Sequence, residues 1–226
     1  MAYRRTEKVE ARLAATRERI VRAALSLVAR GGYGATAMPA IAAEAGVSTG
    51  LLYRYFPSKA DLFDEVFRRA SQREIDACAA AAALPGSARE RLARVVETFA
   101  RRALKGRRLA WALLAEPVDP VVDADRARFR EPYRAIFADI IQAGIEAGEV
   151  APQHAKTVAA AMVGAIAEAL IGPLSEEPPR PQDEAELIAT VVRFCVQSLG
   201  PPPDANSTKP DKEDGDGNQD MQPRTA

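Results

Sequence analysis

At 226 residues and 24.3 kDa, with 47% hydrophobic side chains, the chain is long enough to bury one large core or two small ones. Its 31 basic and 31 acidic side chains cancel, and no run reaches the roughly 18 uninterrupted apolar residues that a membrane span needs. Residues 1–22 are charged throughout and lack the apolar stretch of a secretory signal, so a cytoplasmic protein with no membrane partner is expected.

In chain order, residues 1–13 form a basic arm containing Arg4, Arg5, Lys8 and Arg12. Residues 1–73 carry 13 Lys/Arg against 7 Asp/Glu, residues 74–199 carry 15 against 18, and residues 200–226 carry 3 against 6. The neutral total thus conceals a basic end, the footprint that phosphate neutralisation requires. Leu13, Ile20, Ala23, Ala24, Leu27 and Val28 recur at three- and four-residue steps and predict a helix, which Gly31 and Gly32 stop. Short helical patterns follow at 39–45 and 48–56. Ser58 and Asp61 make an S-x-x-D capping box that opens a helix running to Ala83. Pro85 and Gly86 break the chain. Helical patterns resume over 88–104, 109–115, 121–147 and 153–171, punctuated by Gly148 and by Gly172-Pro173, with a Pro-rich loop at 175–182. The last, 183–199, aligns Leu187, Ile188, Val191, Phe194, Cys195 and Ser198 on one side. Residues 200–226 hold almost nothing apolar and are expected to be disordered. There is no β alternation bounded by hairpin turns, which predicts an all-α chain.

Residues 36–59 hold the most informative pattern. Ile41, Ala42 and Ala45 form the inner face of a short helix, and Gly46 follows at a corner that wants positive φ. Val47 plugs the corner, and Ser48 is placed to cap a second helix. That helix sends Leu52 and Phe56 inward and presents Thr49, Gly50, Tyr53, Arg54 and Tyr55 on its other face. Hydroxyl, aromatic and guanidinium groups on a short helix suit a DNA major groove, and Gly50 lets the helix start approach closely. Helical hairpins with a central glycine also occur in proteins that never touch DNA, so spacing alone leaves both readings open.

The string Ile41-Ala-x-x-Ala45-Gly46-Val47-Ser48-x-Gly50-x-x-Tyr53-x-Tyr55-Phe56-x-x-Lys59-x-x-Leu62 resembles the signature of the TetR family of bacterial transcriptional repressors. The likeness extends over residues 16–65 and includes Ile20, Ala23, Ala24 and Leu27. It implies an N-terminal three-helix helix-turn-helix DNA-binding domain at 14–57, behind the arm at 1–13. A larger helical effector-binding and dimerisation domain would occupy 58–199, with 58–83 as the connecting helix. It further implies that Thr36 and Lys59 contact phosphate, and that Thr49, Gly50, Tyr53 and Tyr55 meet bases and backbone, with Ser48 and Arg54 beside them. Lys59 stands near a helix N-terminus, where free backbone N–H groups also favour an anion. Family members often carry a polar or basic residue where this chain has Pro39. Pro39 cannot donate a hydrogen bond, so the second helix should carry nearly all of the sequence reading.

The resemblance also implies a homodimer in which 153–171 and 183–199 of each subunit form a four-helix bundle, with Val163, Ile166, Leu170, Ile188, Val191 and Cys195 at the interface. Ala159, Ala160, Met162, Val163, Ile166, Ala167 and Leu170 make a wide apolar face, which fits such a bundle or an ordinary internal core. A small-molecule pocket among the middle helices is implied too. Candidate walls are Phe99, Leu104, Trp111, Leu114, Phe129, Tyr133, Phe137 and Met162, while Arg102 and Glu168 either hold a polar group of the ligand or are exposed. These aromatics could equally fill a core. The expected protein is a repressor that binds a pseudo-palindromic double-stranded operator as a homodimer and is released by a small, mostly apolar effector.

Catalysis is not expected, nor is a cofactor or metal. His154 is the sole histidine and reads as an exposed helix cap, which excludes His-based metal clusters and Ser-His-Asp chemistry. Phosphate-cradling glycine motifs are missing from the sequence. Asp214-x-Asp216-x-Asn218 mimics the opening of a calcium loop, but Gln219 and Thr225 replace its glycine and closing glutamate. Cys78 and Cys195 read as two buried thiols. Two rival readings are an architectural or activating DNA-binding protein whose closed second domain only dimerises, and an apolar-ligand carrier or enzyme with an incidentally basic N-terminus.

Overall fold

The computed structural model describes residues 7–118, 120–175 and 180–201, and these form helices without strands. α1 (Glu7–Gly31) buries Ile20, Val21, Ala24 and Val28 at helical spacing and ends as Gly32 turns to φ 80°. Because α1 begins at Glu7, Lys8 and Arg12 lie on this helix and not in an extended arm; Arg4 and Arg5 fall outside the described residues. α2 (Met38–Ala45) accepts Pro39 in its first turn, where no N–H partner is needed, and stops on Gly46 at φ 65°. α3 (Thr49–Tyr55) follows at once, with the Ser48 hydroxyl accepting from the Leu51 N–H at 3.2 Å.

α4 (Lys59–Ala83) opens with the expected capping box: Asp61 N–H donates to Ser58 Oγ at 3.0 Å, and Ser58 N–H to Asp61 Oδ2 at 3.0 Å. Ser87 and Glu90 repeat the device at α5 (Ala88–Lys105). Then come α6 (Arg107–Leu114), α7 (Pro120–Glu146), α8 (Ala155–Ser175) and α9 (Pro181–Gln197). His154 is exposed, and its Nδ1 accepts from the Thr157 N–H at the start of α8.

Two boundaries depart from expectation. α8 does not stop at Gly172-Pro173 but continues to Ser175. Pro173 lies in the last turn and forfeits a single intrahelical bond, which the burial of Leu174 helps to offset. α9 starts inside the stretch expected to be loop, with Pro181 in its first turn, where proline fits. The expected tail beyond residue 201, with its calcium-like string at 214–225, lies outside the described residues.

Two apolar clusters result. The first joins α1–α4 through Ile20, Ile41, Leu52, Phe56, Phe63 and Phe67, and it also takes in Ala112 of α6. The second fills the space among α4, α5, α7, α8 and α9 with Leu92, Val96, Ile140, Ile141, Met162, Leu170 and Leu199. α6 packs against both α1 and α8, so one short helix spans the seam between head and body. Among the described helices, α8 is long and apolar enough to cross a membrane by length and composition alone, yet only 39% of that apolar stretch is buried within the subunit.

Candidate nucleic-acid interface and effector cleft

α3 is held by its inward side chains. Leu52 is fully buried and Phe56 nearly so, each contributing roughly 1.5–3 kcal/mol by leaving water. This anchorage leaves Gly50, Tyr53 and Arg54 exposed, with Thr49 and Tyr55 half-buried at the margins of the same face. Tyr53 is among the few exposed large hydrophobic side chains, at 46%. A Cβ built on Gly50 would meet no atom within 4 Å, so the subunit's own packing does not require glycine there.

Of the two residues expected as phosphate anchors, Thr36 is buried and Lys59 is half-buried, and both side chains bond within the subunit. Thr36 is 3% exposed, and its hydroxyl donates to the Gly32 carbonyl at 2.7 Å, so it closes the α1–α2 loop and is not free to meet a phosphate. Lys59 Nζ donates to the Tyr33 carbonyl at 2.9 Å and sits 4.0 Å from the centre of the Tyr33 ring and 5.4 Å from that of Phe63. Tyr33 in turn meets Phe63 edge-on at 4.6 Å. The ammonium thus ties the start of α4 to the loop that precedes α2.

In the body, α4 through α8 enclose a cleft of about 900 Å³, counting its open mouth. Of the expected wall residues, Phe99, Arg102, Leu114, Phe129, Tyr133 and Phe137 do come together there. Met162 and Leu104 are buried in the body core, Trp111 packs against that core, and Glu168 is exposed on the outer side of α8; none of these four lines the cleft. Leu109, Leu113, Arg126 and Arg130 line it instead. Their signal was available for α7, where residues 126, 129, 130, 133 and 137 follow the three- and four-residue steps of a single face. The cleft is continuous with the head: Leu109, Leu113 and Phe129 line it and also pack against the head cluster.

The cleft's polar groups are fewer than its apolar ones, and several of them engage one another. Arg102 donates twice to Glu74, at 2.5 and 3.0 Å, which satisfies both side chains on each other. Tyr133 stands edge-on to Phe99 at 5.3 Å, and burial pushes its phenol above the usual range. Burial, with Glu74 nearby, likewise raises the Cys78 thiol to about 12, and burial alone raises Cys195 to about 11. Both thiols are buried, free and protonated at neutral pH.

The six residues expected at a dimer interface are inside the subunit. Val163 and Ile166 face the cleft, while Leu170, Ile188, Val191 and Cys195 belong to the body core, all 9% exposed or less. Within the subunit, these six side chains are therefore not on the solvent-facing sides of the two helices. The side of α8 turned to solvent is Ala161, Gly164 and Glu168, and Phe194 of α9 is 54% exposed.

Comparison with known proteins fits this architecture. The family model for bacterial regulatory proteins of the TetR type matches residues 20–66, and that for the tetracyclin repressor-like C-terminal domain matches residues 85–170. The HTH-type transcriptional repressor KstR of Mycolicibacterium smegmatis is 47% identical over 70 residues, which is 31% of this chain and 34% of that protein. The match thus spans about a third of the curated relative's length. Among solved structures, the fatty acid degradation regulator FadR of Bacillus halodurans superposes with a TM-score of 0.70 at 19% identity, covering 82% of this chain and 97% of its own. FadR of Bacillus subtilis, solved in complex with stearoyl-CoA, gives a TM-score of 0.69 at 22% identity, covering 80% and 98%.

Proposed function

The chain belongs to the TetR family of bacterial regulatory proteins, and from that premise we propose that it is a transcriptional repressor controlled by a small, mostly apolar effector. α3 enters the major groove and reads base edges through Thr49, Gly50, Tyr53, Arg54 and Tyr55, with the Ser48 cap at its start. Two heads on a two-fold axis then read a pseudo-palindromic operator. The subunits pair through the outer faces of α8 and α9, around Gly164 and Phe194, because the apolar α8 is incompletely covered by its own subunit. Such a protein acts in the cytoplasm, on double-stranded DNA.

The observation that carries the effector reading is the sharing of Leu109, Leu113 and Phe129 between the cleft wall and the head cluster. A ligand that moves these side chains also moves the packing beneath the reading helix. The lining is mostly aliphatic and aromatic, which favours a hydrocarbon body with a small polar end. A fatty acyl chain has that description, and the B. subtilis neighbour was solved with such a chain carried on a much larger polar head, as stearoyl-CoA.

Selection of random duplexes by the full-length protein, repeated with a library of hydrophobic compounds, tests the reading. A selected pseudo-palindrome, released by at least one compound, supports it. Failure to enrich any sequence sinks the DNA-binding part. An enriched duplex that no compound releases favours the rival in which the second domain only dimerises.

A further inference from the structure

Arg126 of α7 lines the cleft, and its side chain is 11% exposed. One guanidinium nitrogen donates to the carbonyls of Ala112, at 2.9 Å, and of Glu116, while the other donates to Asp123 at 2.9 Å. The third, Nε, is buried and has no hydrogen-bond partner among the described residues. An unmet donor on a buried guanidinium is costly, and an acceptor brought into the cleft would satisfy it.

The carbonyls that Arg126 grips close the C-terminal end of α6, and the residue just beyond reaches into the head. The Glu116 carboxylate accepts from the Tyr33 N–H at 2.8 Å and the Gly34 N–H at 3.0 Å. Successive backbone donors make a seat for an anionic group. Gly32 completes that seat. It holds φ 80°, and a Cβ there would lie 2.8 Å from Glu116 Oε1. The seated loop is the same one that Lys59 ties to α4 and that the Thr36 hydroxyl closes on the Gly32 carbonyl.

We propose that Arg126 receives an oxygen acceptor at the polar end of the effector, and that Glu116, seated on the Gly32–Gly34 backbone, passes the resulting movement of α6 to the reading head. The inference rests on the cleft being an effector site and names the residues that make it a switch. Nε is enclosed as the side chain now stands, so a ligand oxygen reaches it only when the guanidinium plane turns. Its hold on the two carbonyls loosens, the end of α6 shifts, and the carboxylate drags or leaves its seat. The ligand thereby favours the conformer in which the loop, and α2 and α3 behind it, no longer fit the duplex.

Dodecanoate and dodecanol share a hydrocarbon body and differ at the polar end, so they serve as probes. Trp111 of α6, the sole tryptophan, reports binding by fluorescence. Wild-type full-length protein should bind dodecanoate about tenfold more tightly than dodecanol, as a charge-assisted bond to a buried guanidinium predicts. Arg126→Met should nearly erase that preference, and Arg126→Lys should restore part of it. Saturating dodecanoate should weaken binding of the selected duplex by about tenfold in wild type and less than about twofold in Glu116→Ala and Glu116→Gln, which still bind dodecanoate. Equal binding of the two probes by wild type overturns the role of Arg126, and a wild-type response in both Glu116 variants overturns the relay. Binding of neither probe overturns the cleft reading as well. Failure to select any duplex sinks the head reading and the relay with it, while the Trp111 titration still decides for or against Arg126.

Discussion

Lys59 Nζ lies 2.9 Å from the Tyr33 carbonyl oxygen and 4.0 Å from the centre of the Tyr33 ring, so one ammonium holds the loop before α2 by both its backbone and its side chain. A lysine at this place in the sequence is easily taken for a phosphate contact. Its geometry makes it a brace of the head.

Lys59→Ala should therefore lower the stability of the protein, by about 1–3 kcal/mol, through loss of a charge-assisted hydrogen bond and a cation–π contact. Urea denaturation at neutral pH measures this directly. The salt dependence of duplex binding should change by clearly less than the unit slope expected when a phosphate-neutralising cation is removed. A variant of unchanged stability whose slope falls by about one would return Lys59 to the DNA surface.

Gly50→Ala separates the reading face from the fold. An added Cβ meets nothing within the subunit, and glycine inside a helix is about 1 kcal/mol worse than alanine. The variant should be as stable as wild type or slightly more stable. Its affinity for the selected duplex should nonetheless drop by about tenfold, because the methyl group stands where the groove wall must approach. Thermal melts and gel-shift titrations of one preparation check both halves, and undiminished duplex affinity would remove Gly50 from the interface.

Much of the head was legible in the sequence because its devices are local. Gly46, the Ser48 cap and the Ser58/Asp61 box act within a few residues, and Leu52 and Phe56 fall inward by period alone. The body was less legible because its assignments depend on which neighbour a helix face meets. Val163 and Ile166 belong to a face that could be seen from the sequence, but a cleft lies opposite them where a second subunit was expected. Arg126 was missed for a related reason. Its place is fixed by the carbonyls of Ala112 and Glu116, two acceptors on a separate stretch of chain that leave no trace in side-chain spacing.

Glu65 gives the head a measurable acid sensitivity. Burial favours its neutral form, but hydrogen bonds from Arg68, Arg17 and Arg69 outweigh that and hold the carboxyl at about 2. A folded pKa below the usual carboxylate value of 4.5 means that the ionised form stabilises the native state above pH 4.5. That contribution is lost as pH falls from there toward 2. Glu65→Gln should cost about 1–3 kcal/mol at pH 7, the upper figure following from the size of the shift and the lower from solvent screening of Arg17 and Arg68. The stability gap between wild type and Glu65→Gln should then close as the pH is lowered through this window. A gap that stays constant from pH 7 to pH 2.5 would show that the arginine cluster does not depend on the carboxylate charge.

The phase of α8 makes the proposed pairing of subunits testable against the subunit's own packing. Gly164 is exposed, and a Cβ there would meet nothing within 4 Å, so a large side chain disturbs only a partner. Gly164→Phe and Phe194→Glu should each leave the subunit folded and shift it toward monomer in sedimentation at micromolar concentration. The first blocks close approach of the small-residue face, and the second puts a charge where an apolar side chain, 54% exposed in the subunit, would be covered. Duplex binding should weaken in parallel, since each head alone has only a half-site. Val191→Ala is the contrasting variant: at 6% exposure it lies in the body core and should cost stability without a selective effect on assembly. If instead Val191→Ala dissociates the protein at full stability while Gly164→Phe remains a dimer, the subunits pair through the face first expected from the sequence, and α8 must turn relative to its present packing.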